Sequence, residues 1–446
     1  MSTLTRHGKC IPVNPDLKRQ LTVRAIENAM GIRPPSFKVY REGKSGFMYI
    51  PRYYGDPALI DKRSECLPAN IVFKGTLRDD STRQNEAFQA GMNAFRTVGG
   101  GVLSLDAGFG KTTVALALAA ELKVRTMVIV HKEFLANQWK ERIGQFCPGS
   151  TIGRVQQDVF DIEQDFVIAM IQTLCSREND PKAFDSIGLV IVDESHHIGA
   201  AAFSQTMFKL CPKYSLGLTA TPNRKDGLTS ILYWFMGPEF FRVQRENQKT
   251  TRVETVVYDD PEFRQPPPVS RFGKINMAGM ITKLTELDQR NEKIKSIVAG
   301  LDPSRRVLIL TDRREHCFWL KEALQGSELY IGGMNEQELD HSSRHRVIIA
   351  TYSMAQEGLD IPVLDTLILA TPHSDVVQAV GRIMRETPGK MNNPLIIDIV
   401  DSWSVFYSMY KKRLLFYTTA GFQTSLSAEE FPKGKCLIQV ECQQQL

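Results

Sequence analysis

Short apolar runs that alternate with polar or helix-forming stretches constrain this chain more than any other feature. "GVLSL", "TMVIVH", "DFVIAMI", "IGLVIVDE" and "YSLGLTA" follow one another between about residues 80 and 225. "RVLILT", "HRVIIAT", "TLILAT" and "PLIIDIV" make a second set further on. Short apolar runs separated by helical sequence read as strands buried on both faces, which implies a parallel sheet covered by crossover helices. At 446 residues the chain has room for two such domains and something smaller. "RQPPPVSRFGK" at 264–274 reads as the linker, because three consecutive prolines exclude regular structure. The expectation is an α/β protein with a first domain over residues 76–262, and a linker and second domain over 263–446. Residues 1–75 form a small β-rich accessory domain, in which "FKVYREGKSGFMYIPRYYG" interleaves aromatic and basic residues around glycine turns. The tail "WSVFYSMYKKRLLFYTTAGF" reads as a closing amphipathic helix whose aromatic residues serve packing.

Charge distribution adds a direction to this plan. The net charge is +5, but residues 1–75 alone carry 13 Lys/Arg against 6 Asp/Glu, so the rest of the chain is slightly acidic. A basic segment beside a near-neutral body points to a local polyanion contact. No apolar run approaches the ~18 residues of a membrane span, so the reading is a cytoplasmic protein without a membrane partner. The eight cysteines are scattered without a C-x₂-C pair, which disfavours a zinc ribbon or a disulfide scaffold.

Within the first set, "LSLDAGFGKTTVALALAAEL" (103–122) has the order strand, open turn, helix. Gly108 and Gly110 open the turn, and Lys111, Thr112 and Thr113 follow at the helix start, which is the arrangement of a phosphate-binding loop. Leu105 stands where the Gly-x₄-Gly-Lys pattern has its first glycine. Asp193 and Glu194 end the strand "IGLVIV", at the edge where open α/β sheets bind ligands; Asp193 is placed to hold Mg²⁺ and Glu194 to activate water. Thr219-Ala220-Thr221 ends the next strand. Gln84 lies upstream, with an amide suited to adenine N6 and N7. Gln378, Arg382 and Arg385 share the segment "VVQAVGRIMRE", two arginines three apart on one helix face. Each signal alone has an ordinary explanation as a helix cap, a hydroxyl turn or a solvated surface residue. Their fixed joint order does not.

In that order the chain resembles helicase superfamily 2 from about residue 77 to about 420. Gln84 matches the Q motif, "DAGFGKTT" motif I, "TMVIVHKEFLANQW" motif Ia, "VIAMIQTL" motif Ic, "VDESHH" motif II and "LTATP" motif III. "VLILTDRREHC" matches motif IV, "IIATYSMAQEGLDIP" motif V and "QAVGRIMR" motif VI. "LGLTATPNRKDG", "GPEFF" and "DQRNEKI" are similar to the branch that includes XPB and UvsW, and so to phage-encoded branch-migration helicases. Ser195 departs from the commoner third residue of motif II. The resemblance implies two tandem RecA-like domains, ATP as the nucleotide with Mg²⁺ on Thr112 and Asp193, and ATP contacts from Gln84, Gly108, Gly110, Lys111, Thr112, Thr113 and Asp360. It implies catalysis by Lys111, Glu194, Gln378, Arg382 and Arg385, the arginines serving as fingers across an interdomain cleft. Thr173, Thr311 and Thr351 are the implied strand contacts, with Lys44 and Arg52 added from the basic segment. The implied activity is that of an ATP-dependent DNA helicase or translocase acting on forked or Holliday-type junctions, with replication or recombination proteins as partners and, for a phage-encoded chain, the host cytoplasm as location. The alternatives are an RNA helicase, or an ATP-driven double-stranded DNA translocase or remodelling subunit that does not separate strands.

Overall fold

The computed structural model describes residues 2–26, 34–44, 46–58, 60–63, 65–106, 108–178, 182–193, 200–220, 227–243, 250–269, 275–357, 359, 361–384 and 390–426. The chain divides into two compact units, Met1–Arg245 and Glu246–Leu446.

Unit one contains an eight-stranded sheet: β1 Gly100–Leu105, β2 Thr126–Val130, β3 Ile152–Gln156, β4 Val159–Phe160, β5 Phe166–Met170, β6 Leu189–Val192, β7 Tyr214–Thr219 and β8 Glu239–Val243. Their order is β4-β3-β5-β2-β6-β7-β1-β8. Every pairing is parallel except the β3/β4 hairpin. Both faces are covered, and the alternation along each strand shows it. Met127 and Ile129 enter one apolar core while Val128 and Val130 enter the other. A strand buried on both sides has no polar face to display, so its sequence is the continuous apolar run seen above.

Unit two repeats the plan with a seven-stranded, all-parallel sheet: β9 Arg252–Tyr258, β10 Val307–Thr311, β11 Ser327–Tyr330, β12 Val347–Thr351, β13 Thr366–Leu369, β14 Leu395–Asp401 and β15 Gln423–Leu426. The order is β11-β12-β10-β13-β14-β9-β15. The expected boundary at 262/263 is therefore displaced. β9 lies before the proline-rich segment, yet it pairs along its whole length with β14, so the unit begins near residue 246. Its sequence "RVETVVY" interrupts the apolar run with Arg, Glu and Thr, which hid it among the strands of the first set.

The accessory segment is β-rich, as anticipated. Strands Thr3–Thr5, Gly8–Pro12, Arg41–Glu42, Phe47–Ile50 and Ile60–Asp61 form a five-stranded sheet. It is not separable from unit one. Leu21, Val39, Tyr40, Met48 and Ile50 share a single core with Phe208, Leu210 and Phe235. The Tyr53 hydroxyl lies 3.0 Å from Ser215 Oγ, Arg41 Nη2 donates to the Gln205 carbonyl at 2.9 Å, and Arg6 pairs with Asp185 at 3.0 Å. Tyr54 meets Trp234 edge to face. Much of the aromatic and basic interleaving is thus the glue of an internal interface. Among the described residues no helix is long and apolar enough to cross a membrane.

Candidate active site

β1 is buried throughout and runs directly into the loop. Leu105, the residue in place of the pattern's first glycine, is the last strand residue; it is fully buried and pairs with Val243. The backbone reversal falls instead at Gly108 and Gly110, with φ of 85° and 84°, values that side chains disfavour. A Cβ on Gly110 would also lie 2.5 Å from Gln84 Nε2. Phe109 anchors the loop in the core beneath, and its N–H donates to the Asp106 carbonyl at 3.1 Å.

Gly110 caps helix α1, Lys111–Leu122, and no side chain bonds to the helix's first N–H groups. Such a terminus is an anion-binding site by geometry and dipole. Val114 through Ala120 are all buried, so the helix is fixed on every side behind its N-terminus. Lys111, Thr112 and Thr113 are half-buried on its first turn.

Gln84 begins helix Gln84–Thr97 and is buried. Its amide is engaged inside the protein: Nε2 donates to the Phe109 carbonyl at 3.0 Å and Oε1 accepts from the Arg78 N–H at 3.1 Å. It ties the loop to residue 78, retaining one N–H and one lone pair beyond those bonds.

Asp193 follows β6 directly, and β7 alone separates β6 from β1 in the sheet. Its carboxylate is nearly buried, and Oδ2 accepts a 2.8 Å bond from the indole Nε1 of Trp139. Trp139, 2% exposed on helix Glu133–Phe146, is a site residue that sequence reasoning missed. It closed the string "HKEFLANQW", where an indole reads as core. Thr219, at the end of β7, is fully buried. Glu194, Asp360 and Arg385 lie outside the described residues, as does Thr221.

In unit two, Gln378 and Arg382 sit on helix Val377–Ile383, both half-buried. Arg382 Nε donates to the Ala355 carbonyl at 2.9 Å, which orients its guanidinium.

The strand-contact expectations fare unevenly. Thr173 is half-buried and its hydroxyl accepts from the Gln157 N–H at 3.1 Å; Thr351 is half-buried with its hydroxyl 3.0 Å from that of Ser353. Thr311 is corrected: it is fully buried, 2.9 Å from His316 Nδ1, and accepts from Arg313 N at 3.4 Å. A hydroxyl at that depth orders the next helix and does not reach a phosphate. Arg52 is corrected as well. Its guanidinium donates to the carbonyls of Pro212 at 3.1 Å and Lys213 at 2.9 Å, and burial pulls its pKa down. Lys44 is exposed.

Below the edge of this second sheet runs a dry polar network that the sequence concealed. His316 Nε2 faces Asn291 Oδ1 at 3.1 Å; burial, then the Arg290 charge, push its pKa down to about 3. Arg290 holds Asp401 through two bonds of 2.7 and 3.0 Å, both side chains wholly buried. Arg413 holds Asp398 through two bonds of 2.8 Å, and Tyr417 donates to the same carboxylate at 2.9 Å. The string "DQRNEKI" supplies Arg290 and Asn291, so what read as a branch signature is a packing device here.

Residues 79–224 match the family of the type III restriction enzyme res subunit. A protein of Acanthamoeba polyphaga mimivirus, L396, which carries the name of an ATP-dependent RNA helicase, is 34% identical over 428 residues, spanning 89% of this chain and 81% of its own length. Helicase D10 of Escherichia phage T5 is 27% identical over 335 residues, 71% of each chain. Among solved structures, the type ISP restriction-modification enzyme LlaBIII bound to DNA aligns at TM-score 0.55 with 16% identity, over 80% of this chain and 32% of that one. S. cerevisiae Dbp5 bound to RNA and ADP BeF3 aligns at TM-score 0.51 with 14% identity, over 77% and 89%. These two likenesses speak to the fold.

Proposed function

We propose, from the premise that the chain belongs to helicase superfamily 2, that it is a DNA helicase or translocase acting on branched DNA. Membership carries nucleic-acid-dependent ATP hydrolysis and two RecA-like sheets with it. The remaining question is what the motor moves on.

The residues of unit one fit the β- and γ-phosphates of ATP. The uncapped amides of helix α1 and Lys111 hold them, Gly108 and Gly110 let the backbone approach, and Phe109 with Gln84 keeps the loop from collapsing. Thr112 and Asp193 fit Mg²⁺: one hydroxyl on the first helical turn, and one carboxylate whose Oδ2 is held by Trp139. When bound, that ion neutralises phosphate charge. Glu194 is assigned to orient the attacking water. Gln378, Arg382 and Arg385 are assigned by motif order to the phosphoryl group as charge develops, and Asp360 to nucleotide contact. Thr173, Thr351 and Lys44 remain as nucleic-acid contacts.

The observation that supports branched DNA is the fusion of the basic N-terminal sheet to the motor unit through one apolar core. A module that moves with unit one can grip a duplex arm while the motor draws a single strand. Arg19, Lys38, Lys44 and Lys62 are exposed on it, available to phosphates. Replication or recombination proteins are natural partners of such an activity. The RNA reading has its own support, since the mimivirus relative bears an RNA helicase name. ATP hydrolysis measured in parallel with single-stranded DNA, duplex DNA, a four-way junction and RNA separates the readings. Stimulation should be greatest with junction or single-stranded DNA; RNA as the best activator would establish the alternative.

A further inference from the structure

We propose that Glu328, His341 and His345 form a zinc-type metal site on the outer edge of unit two. Their candidate ligand atoms all lie within 4.8 Å of one another. Metal bonds of about 2.0–2.2 Å require ligands roughly 3.3 Å apart in a tetrahedral site. Small rotamer changes at this half-buried to exposed surface supply the difference.

Four features support a built site. His341 lies in the last turn of helix Glu336–Ser343, and His345 follows four residues on in a turn closed by His345 N–H to the Ser342 carbonyl at 3.1 Å. The helical i, i+4 spacing brings two imidazoles to one face, here with ring centroids 4.8 Å apart. Secondly, His345 Nδ1 is 3.1 Å from the His341 carbonyl oxygen. A carbonyl accepts only, so Nδ1 carries the proton and Nε2 keeps its lone pair, the arrangement that metal-bound histidines share.

Thirdly, Glu328 is anchored through one oxygen. Oε1 accepts from Lys321 Nζ and from the Leu329 N–H at 3.0 Å, so Oε2 remains for an ion. Burial raises the Glu328 pKa, but the bonds from Lys321 and Leu329 outweigh it and hold the group below the usual range, as an anion. Fourthly, the helix has little else to hold it. Asn335 and Glu338 close a capping box at its N-terminus, yet Ser342 is its one buried residue. β11, which carries Glu328, is the edge strand of the sheet. An ion bridging Glu328 to the two histidines fastens the free end of a polar helix to that edge, with a fourth position left for water.

The test uses the full chain, stripped with a chelator, and titrated with ZnCl₂ by competition against a chromophoric chelator. One ion per chain should bind with micromolar or tighter affinity and raise the unfolding midpoint. His341→Ala and His345→Ala should each weaken binding by more than the roughly 10–100-fold that losing an outer-sphere partner costs. Glu328→Gln should weaken it about 10-fold or more by the same scale. X-ray absorption at the zinc edge should show nitrogen and oxygen ligands without sulfur, which excludes the free cysteines. Nucleic-acid-stimulated ATPase near wild-type level in each variant verifies folding. Millimolar affinity in the wild type, sulfur in the coordination shell, or unchanged binding after Glu328→Gln would each overturn the three-ligand site.

Discussion

Lys111, Thr112 and Thr113 stand half-buried at the edge of the first sheet, around a helix terminus whose amides have no side-chain cap. At the corresponding edge of the second sheet, Thr311, Asp398 and Asp401 are wholly buried and bonded to His316, Arg413 and Arg290. Both sheets end their strands in polar residues, and in both families of strands those residues looked functional. The difference is direction. In unit one polarity faces outward and waits for a ligand; in unit two it faces inward and is satisfied by the protein. A buried charge without a partner costs several kcal/mol, so inward polarity appears as complete networks. Outward polarity tolerates unfilled bonds because water or a phosphate completes them. Substitutions should therefore separate the two edges, one losing chemistry without stability and the other losing stability first.

The largest contrast is Lys111→Ala. Turnover should fall by about 10³-fold or more, equivalent to roughly 4 kcal/mol of transition-state stabilisation, while the unfolding midpoint stays near wild type. Loss of both together would place Lys111 in the structural class. Arg290→Ala is its counterpart, stranding Asp401 in the core at a cost of about 3–5 kcal/mol. For a unit of this size that lowers the melting midpoint by roughly 10 °C. The double variant Arg290→Met, Asp401→Leu removes both charges and should recover most of the loss; failure to recover would mean the pair does more than satisfy itself.

Acid sharpens the same point. His316 is neutral in the folded state down to about pH 3, whereas the unfolded chain protonates it near 6.5. Its folded pKa is depressed, so the unfolded state binds the extra proton between those values, and stability falls as pH is lowered through that window. The slope from this residue approaches 1.4 kcal/mol per pH unit. His316→Gln should flatten unfolding free energy against pH in that range, measured by urea denaturation; an unchanged slope would show that other groups govern it.

The smallest effect belongs to Trp139→Phe. The indole bond to Asp193 is removed while the apolar packing is largely kept, and a hydrogen bond to a charged group is worth about 1.5–3 kcal/mol. Turnover should drop about 10-fold or somewhat more with little change in nucleic-acid affinity. Unchanged turnover would mean that Asp193 holds its position without the indole.

The parallel sheets were legible because strands buried on both faces must be apolar along their length. Motif order likewise placed Gly108, Gly110, Lys111 and Asp193 at strand ends. What stayed hidden were contacts whose partners lie far along the chain. Arg52 reads as a phosphate ligand until Pro212 and Lys213 come to meet it, and Gln84 reads as a base contact until the Phe109 carbonyl appears. β9 escaped because its polar residues break the apolar run, and only its pairing with β14 reveals it. Net charge in the first 75 residues located a basic module correctly in sequence. It did not distinguish side chains at the solvent from those sealing the module to unit one.

That fusion also decides how the functional claim is tested. Deleting the N-terminal segment would bare Phe208, Leu210 and Phe235, so charge must be altered without removing the sheet. The direct measurement is real-time branch migration of a fluorescent four-way DNA junction with ATP, beside an RNA duplex of matched length, for the wild type and a Lys38→Glu, Lys44→Glu variant. The wild type should resolve the junction and leave the RNA duplex largely paired. The variant should migrate junctions more slowly, with a log–log salt slope of binding shallower by roughly 0.9 per lost phosphate contact, and keep its ATPase with single-stranded DNA. Unwinding of the RNA duplex with an untouched junction would contradict the account.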